Sequence, residues 1–264
     1  MHSKGVTSAA YSPDGTRIVT SSGGIFREHN SARIWDAQTG RMINTLIGHK
    51  GWVRSAAYSP DGTRIVTASD DNTARVWDAQ MGQEIETTAR YYMKGTEAAY
   101  SPDGTRIVTN NTDAAYVWNT ETWQLLHTLD GSGHVGDVNS AHYSPDGKRI
   151  ITASGESLLY DDMIRIWDAQ TGQIILTLSG HSNWVSSAKY SPDGTRIVSA
   201  SADDTTRVWD AQTGQAILTL QGHSDWVYSA AYSPDGTRIV TASRDKTARV
   251  WDAQTGEMIS VDGE

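Results

Sequence analysis

The stretch Gly222–Gly256 reads GHSDWVYSAAYSPDGTRIVTASRDKTARVWDAQTG, and the rest of the chain is made of copies of it. The block SPDG opens at Ser12, Ser59, Ser101, Ser144, Ser191 and Ser233. A Trp followed by Asp or Asn stands at Trp35, Trp77, Trp118, Trp167, Trp209 and Trp251. Successive Trp positions lie 41–49 residues apart, a period that belongs to architectures assembled from one supersecondary unit. Each copy predicts four strands, V-x-S-A-A-Y, T-R-I-V-T-A-S, T-A-R-V-W-D and Q-x-I-L-T-L, from period-two patterning and β-branched residues. SPDG suits a tight hairpin because Pro presets φ at the second turn position and Gly accepts a positive φ at the end, and DAQTG serves the third and fourth strands in the same way. Paired alanines such as Ala230 and Ala231 place the first strand of each copy nearest a crowded central axis.

A Gly-His pair before the first strand, the SPDG turn, an Asp six residues before a Trp and a closing Trp-Asp together resemble the WD-repeat β-propeller family, and the resemblance covers the whole chain. It implies an all-β, six-bladed β-propeller with four antiparallel strands per blade. The expected blades span approximately 1–47, 48–90, 91–132, 133–179, 180–221 and 222–264, in one domain over 1–264. In this phase each blade is contiguous in sequence and no terminus supplies a strand to the other's blade, so a closed ring would rest on blade packing alone. A closed, monomeric ring is the leading expectation, and an open array pairing with a second chain is the alternative, because an uncapped array exposes apolar surface.

The resemblance also implies a buried hydrogen-bond chain in each blade, from the His through a first-strand Ser and a loop Asp to the Trp indole. Four blades supply a full set: His49, Ser55, Asp71 and Trp77; His134, Ser140, Asp161 and Trp167; His181, Ser187, Asp203 and Trp209; His223, Ser229, Asp245 and Trp251. A Ser-His-Asp combination invites comparison with hydrolases, but a nucleophile would be singular and exposed, whereas this set is repeated and tied to a core Trp. The first blade has His2, Ser8 and Trp35 but His29 where Asp is expected. The third has Tyr91 for His, Glu97 for Ser, Thr112 or Asp113 for Asp, and Trp123 for the Gly of its last turn. Both are expected to open more easily than the rest, the third having lost its network.

Composition limits function. Thirty-one acidic side chains against 22 basic ones give a net charge of −9, the wrong sign for a surface that binds duplexes by releasing phosphate counterions. Nucleic acid is therefore not an expected partner. Cysteine is absent, which removes disulfides and thiolate metal sites. The chain enters its first repeat directly from Met1 with no apolar run, so no membrane partner and a cytoplasmic location are expected. The titratable residues outside the repeat pattern, His29, His127, His142, Glu97 and Glu156, have no spacing suited to a metal, a carboxylate pair or an activated nucleophile. No enzyme activity, metal or cofactor is expected.

Individuality should lie where the copies differ. Blades one and four each carry five extra residues between their second and third strands, and these insertions hold Phe26, Leu158, Leu159 and Tyr160, candidate contacts at loop tips. The most varied row follows each His. Its third position holds Gly5, Trp52, Lys94, Asp137, Trp184 and Trp226, and two residues on stand Thr7, Arg54, Thr96, Asn139, Ser186 and Tyr228. Trp, Tyr and Arg dominate interface energetics. Trp226, Tyr228, Trp52, Arg54, Trp184, Arg244, Phe26 and Tyr160 are the expected contact residues for a protein or peptide, with packing against the adjacent blade as the competing role for the Trp side chains. The leading functional expectation is a non-catalytic interaction scaffold working through the face of the His loops and the inserted loops. The alternatives are a recognition or sensor fragment of a larger signalling protein, or a small-ligand or glycan binder at the channel mouth.

Overall fold

In the computed structural model the described residues are 5–23, 30–87, 97–111, 113–130, 137–155 and 162–262. They form six four-stranded antiparallel sheets, each ordered first to fourth strand as the chain runs, the blades of an all-β propeller. Blade 5 shows the plan: strands Val185–Tyr190, Arg196–Ser201, Thr206–Asp210 and Ala216–Leu220. The chain divides into two compact units, Met1–Thr128 and Leu129–Glu264.

The hairpins are made by their own side chains. In blade 5, Gly194 N–H donates to Ser191 O, Ser191 Oγ–H to Asp193 Oδ1, and Thr195 N–H to Asp193 Oδ1. Gly194 sits at φ 71°, a conformation that glycine adopts at low cost and most L side chains do not. The Asp of each Trp-Asp pair is likewise a turn element: Asp210 Oδ1 accepts from Gln212 N–H, Thr213 N–H and Thr213 Oγ1–H. These donors hold the Asp210 carboxyl below the usual range, the Thr213 backbone bond first among them.

Alternation along the second strand gives each blade two apolar faces, because neighbouring side chains point to opposite sides of a sheet. In Arg196–Ser201, Ile197 faces the preceding blade and Val198 the following one. Within the second unit, Ile151, Ile164, Ile166 and Leu178 of blade 4 pack on Val185, Ala188, Ile197, Trp209 and Ala211 of blade 5. Val198, Ala200, Val208 and Leu220 of blade 5 then receive Val227, Ala230, Ile239, Trp251 and Ala253 of blade 6. The first unit repeats the scheme between blades 1 and 2, where Val19, Ile34 and Leu46 meet Ala56, Tyr58, Ile65 and Trp77, and between blades 2 and 3.

Among the described residues, the networks of blades 2, 5 and 6 differ from the expected one in their hydroxyl. His49 Nδ1 lies 2.9 Å from Asp71 Oδ2, its Nε2 lies 2.7 Å from Thr67 Oγ1, and Trp77 Nε1–H donates to the same Thr67 oxygen. Ser199 and Thr241 take this place beside His181 and Trp209, and beside His223 and Trp251. The hydroxyl therefore comes from the second strand, and Ser55, Ser187 and Ser229 stand outside the network. First-strand serines point to the next blade instead, where Ser8, Ser55, Ser140 and Ser187 accept from the backbone N–H groups of Ala56, Ala98, Ala188 and Ala230. His134 and Asp161 lie outside the described residues, and in that blade Trp167 Nε1–H donates to Thr152. Blade 3 keeps the same half of the network, Trp118 to Thr109, and blade 1 keeps Trp35 to Thr20, so blade 3 has not lost the network outright. His2, His29, Tyr91 and Thr112 are outside the described residues.

Candidate functional site

The varied row after each His is built on a backbone irregularity. In every described six-residue first strand the pairing register shifts across one residue: between Val53 and Ser55, Val138 and Ser140, Val185 and Ser187, Val227 and Ser229, and Val6 and Ser8. The residue in the shift is the varied one, Arg54, Asn139, Ser186, Tyr228 or Thr7. A bulge of this kind re-aims a side chain out of the alternating pattern. Three of the five spend that freedom on the next blade: Thr7 Oγ1–H donates to Val53 O, Asn139 Nδ2–H to Val185 O, and Ser186 Oγ–H to Val227 O. Arg54 instead pairs with Asp70 in its own blade, and Tyr228 is 51% exposed.

The Trp row is fixed by the loop backbone. Ala202 N–H donates to Trp184 O, Arg244 N–H to Trp226 O and Asp70 N–H to Trp52 O, joining each His loop to the hairpin that carries the network Asp. Trp52 and Trp184 also rest on glycines of the preceding blade, since a Cβ on Gly23 would stand 2.4 Å from the Trp52 ring and one on Gly155 2.5 Å from Trp184. Adjacent-blade packing and surface display are thus combined in these side chains, Trp52 remaining 40% exposed.

Two aromatic clusters result, one in each unit. In the second unit the rings of Trp184 and Trp226 meet edge to face with centroids 5.0 Å apart, and the Arg244 guanidinium lies 4.7 Å from the centre of the Trp226 ring. Arg244 Nε is 3.8 Å from Asp225, both groups being well exposed. Asp204 stands in the adjoining hairpin, where burial and then the charges of Asp225, Asp203 and Asp245 raise its pKa. The cluster thus sets a part-buried aromatic pair beside several carboxylates. In the first unit Arg54 lies 4.9 Å from the Trp52 ring centre and forms a two-point pair with Asp70, at 2.8 and 2.6 Å. That arginine is already engaged.

Phe26 and Tyr160 lie outside the described residues, as do Leu158, Leu159, Lys94, Thr96 and Glu156. The bulge and the glycine seats were not anticipated. The only trace of the bulge in the sequence is V-x-S-A-A-Y itself, in which Val and Ser stand two apart, yet Val packs beside a neighbouring blade and Ser bonds to another.

The opposite side is repetitive. Clefts of about 890 and 510 Å³ open between blades 4 and 5 and between blades 5 and 6, lined by SPDG and Trp-Asp turn residues such as Asp193, Thr195 and Gln212, or Asp235, Thr237 and Gln254. Arg149 and Arg196 cross them to donate to Ala211 O and Ala253 O. Among the described residues no group of three His, Cys, Asp or Glu side chains is placed to hold a metal ion, and no helix is long and apolar enough to cross a membrane.

Among the described residues, blades 2, 5 and 6 are each fastened by a His–Asp pair and a hydroxyl shared with the Trp, repeats of one plan. The chain belongs to the WD-repeat family: the model described as "WD domain, G-beta repeat" matches residues 1–36, 40–78, 123–168, 172–210 and 214–252. The unmatched 79–122 contains the first three strands of blade 3, the blade that departs most from the pattern. Comparison with curated proteins gave no match. Propellers of this family are commonly protein-interaction scaffolds and typically non-catalytic.

Proposed function

We propose that this chain is a non-catalytic scaffold that binds a protein or peptide through its His-loop face, chiefly at the cluster of Trp184, Trp226, Tyr228 and Arg244. The observation that carries the reading is the part-buried edge-to-face Trp pair, capped by a guanidinium on one ring, with the half-exposed Tyr228 two residues after Trp226. Rigid aromatic side chains bury large area at small entropic cost, and Arg stacks and donates at once, which is why such groups anchor interfaces. Asp204 and Asp225 add negative charge beside the rings and favour a ligand segment with a Lys or Arg next to an apolar residue. Trp52 and Arg54 are a secondary contact, because Arg54 would have to keep or exchange its pair with Asp70. Charge repulsion disfavours nucleic acid on the same face.

The test is selection from a displayed random-peptide library, with counter-selection on a Trp226→Ala/Tyr228→Ala variant whose thermal unfolding matches the parent. Enrichment of basic-aromatic sequences by the parent alone supports the reading. Sequences enriched equally by both baits would place binding elsewhere, and no enrichment by the parent would remove peptide recognition.

A further inference from the structure

Trp52 of blade 2 and Trp226 of blade 6 each carry a guanidinium over the ring, and the two are held differently. Arg54 lies 4.9 Å from the Trp52 ring centre and is fixed there by its two-point pair with Asp70, at 2.8 and 2.6 Å. Arg244 lies 4.7 Å from the Trp226 ring centre, but Asp225 Oδ2 stands 3.8 Å from its Nε, beyond hydrogen-bond reach, and its side chain is 53% exposed.

The difference follows from which position supplies the arginine. Asp70 N–H donates to Trp52 O and Arg244 N–H to Trp226 O, so these two residues occupy equivalent places in their hairpins. Arg54 and Tyr228 are equivalent in turn, each lying in the register shift of its first strand. Blade 2 therefore has an arginine in the bulge and a carboxylate in the hairpin to grip it. Blade 6 has the arginine in the hairpin, a tyrosine in the bulge and a carboxylate at neither place.

Arg244 thus covers the Trp226 ring without being locked to it. Its backbone is fixed by the bond to Trp226 O, while its side chain makes no hydrogen bond among the described residues and leaves the ring at the cost of the π contact alone, which is weak at an exposed site. What its departure uncovers suits another cation. The ring face attracts positive charge, and the contact with Trp184 at 5.0 Å holds that ring in place. Asp225 beside it is 39% exposed, and the carboxylates that crowd Asp204 favour added positive charge.

We propose that the Trp226 ring is a guanidinium site, on which an arginine of the bound peptide stacks and pairs with Asp225 by displacing Arg244, the group that covers the site in the free protein. This rests on the cluster's being a peptide-binding surface, and it adds the chemistry of the ligand and the group that gives way to it. A guanidinium suits the site better than an ammonium because it is planar, stacking on a ring while its edge donates to a carboxylate. Trp52 is the internal contrast, since Asp70 keeps Arg54 in place there.

The experiment is an NMR titration of the isotope-labelled full chain with the capped tripeptide Gly-Arg-Gly, followed at the Trp226 indole N–H signal, which a Trp226→Phe variant identifies. The uncharged citrulline tripeptide of the same shape is run in parallel. The proposal expects Arg244→Ala to bind the arginine tripeptide about two- to fivefold more tightly than the parent, because the internal competitor is gone. It expects Lys246→Asn, which removes the same charge from the same hairpin without uncovering the ring, to stay within about 1.5-fold of the parent at physiological salt. The citrulline tripeptide should leave the signal unmoved. Weaker binding by Arg244→Ala overturns the proposal by making Arg244 a ligand contact, and an equal gain in Lys246→Asn overturns it by reducing the effect to net charge. Equal shifts from the two tripeptides, or no shift of the Trp226 signal in Arg244→Ala, overturn it as well. None of these outcomes decides whether the library yields a peptide, so the two readings fail separately.

Discussion

At the scale of single residues, the network shows what spacing could reveal and what it could not. The His, Asp and Trp positions were legible from their fixed separations, and the structure joins them in blades 2, 5 and 6. The hydroxyl was not, because each copy has suitable hydroxyls on both the first and the second strand, and only the bulge decides which of them faces the His. Thr241→Val leaves Trp251 Nε1–H and His223 Nε2 without their partner, at about 1–3 kcal/mol for each orphaned group. Ser229→Ala should change stability by less than about 0.5 kcal/mol, the usual range for an exposed site. Urea unfolding of the two variants checks the order, and a larger loss for Ser229→Ala would return the serine to the network.

The network also fixes an acid dependence. Burial alone would raise the pKa of Asp71 and Asp203, but hydrogen bonds from the paired His, the following Thr and the loop N–H outweigh it and hold both carboxyls well below the usual range. A carboxyl depressed in the folded state contributes stability above its unfolded pKa of about 3.9, and that contribution is lost as pH falls through the folded value. The melting temperature should therefore fall steeply below about pH 4, and less steeply in an Asp71→Asn/Asp203→Asn variant, whose stability at neutral pH is already reduced. Equal slopes for parent and variant would show that other groups set the acid limit. Backbone conformation supplies a change in the opposite direction. Lys246 is held at φ 69° in an exposed hairpin where blade 2 has Asn72 at φ 67°, and Asn tolerates this region better than Lys. Lys246→Asn should raise stability by about 0.5–1 kcal/mol, read from the shift in the urea midpoint.

At the scale of strands and blades, the repeat made the fold legible. Val53–Tyr58, Arg64–Ser69 and Thr73–Asp78 fall on the segments that alternation predicts, because the same pattern recurs in register and each SPDG hairpin carries its own Pro, Asp and Gly. Legibility failed where a blade departs from the pattern. In blade 3 the described first strand is only Ala98–Tyr100, and the last turn closes with Trp123 at φ 57°, where the other blades place Gly. Asn111 takes over part of the hairpin's work, its Oδ1 accepting from Asp113 and Ala114 N–H. That substitution was invisible to a search for Asp at a fixed distance from Trp. Blade 3 therefore keeps its Trp118–Thr109 bond but closes its last turn on a non-glycine residue at positive φ. Blade 1 has His29 where the network Asp is expected. Amide hydrogen exchange should be faster in the second and third strands of blades 1 and 3 than in those of blade 5, since local opening follows buried contact and backbone bonding. Uniform protection across the blades would contradict this.

At the scale of the whole chain, division of labour follows from repetition. Positions that recur from blade to blade make the turns and the packing and, in blades 2, 5 and 6, the His–Trp network, and their regularity is why the acidic turn residues and the Ser-His-Asp combination have a structural explanation. The aromatic and charged groups in the row after each His are what differs from copy to copy. Their identity was legible as variation between copies. Their individual surroundings were not, because whether a bulge residue reaches the next blade, as Ser186 does, or stays in solvent, as Tyr228 does, depends on its length and on what the neighbour offers.

The most direct measurement of the central claim is a calorimetric titration of one library-selected peptide against the parent, Trp226→Ala, and a control on the opposite side, Gln212→Ala. If the Trp184–Trp226–Arg244 cluster is the recognition surface, Trp226→Ala weakens binding by about tenfold or more, the loss expected of an anchor residue, and Gln212→Ala leaves it within about twofold. Unchanged affinity in Trp226→Ala, or a greater loss in Gln212→Ala, would contradict the account and move the binding surface to the turn side.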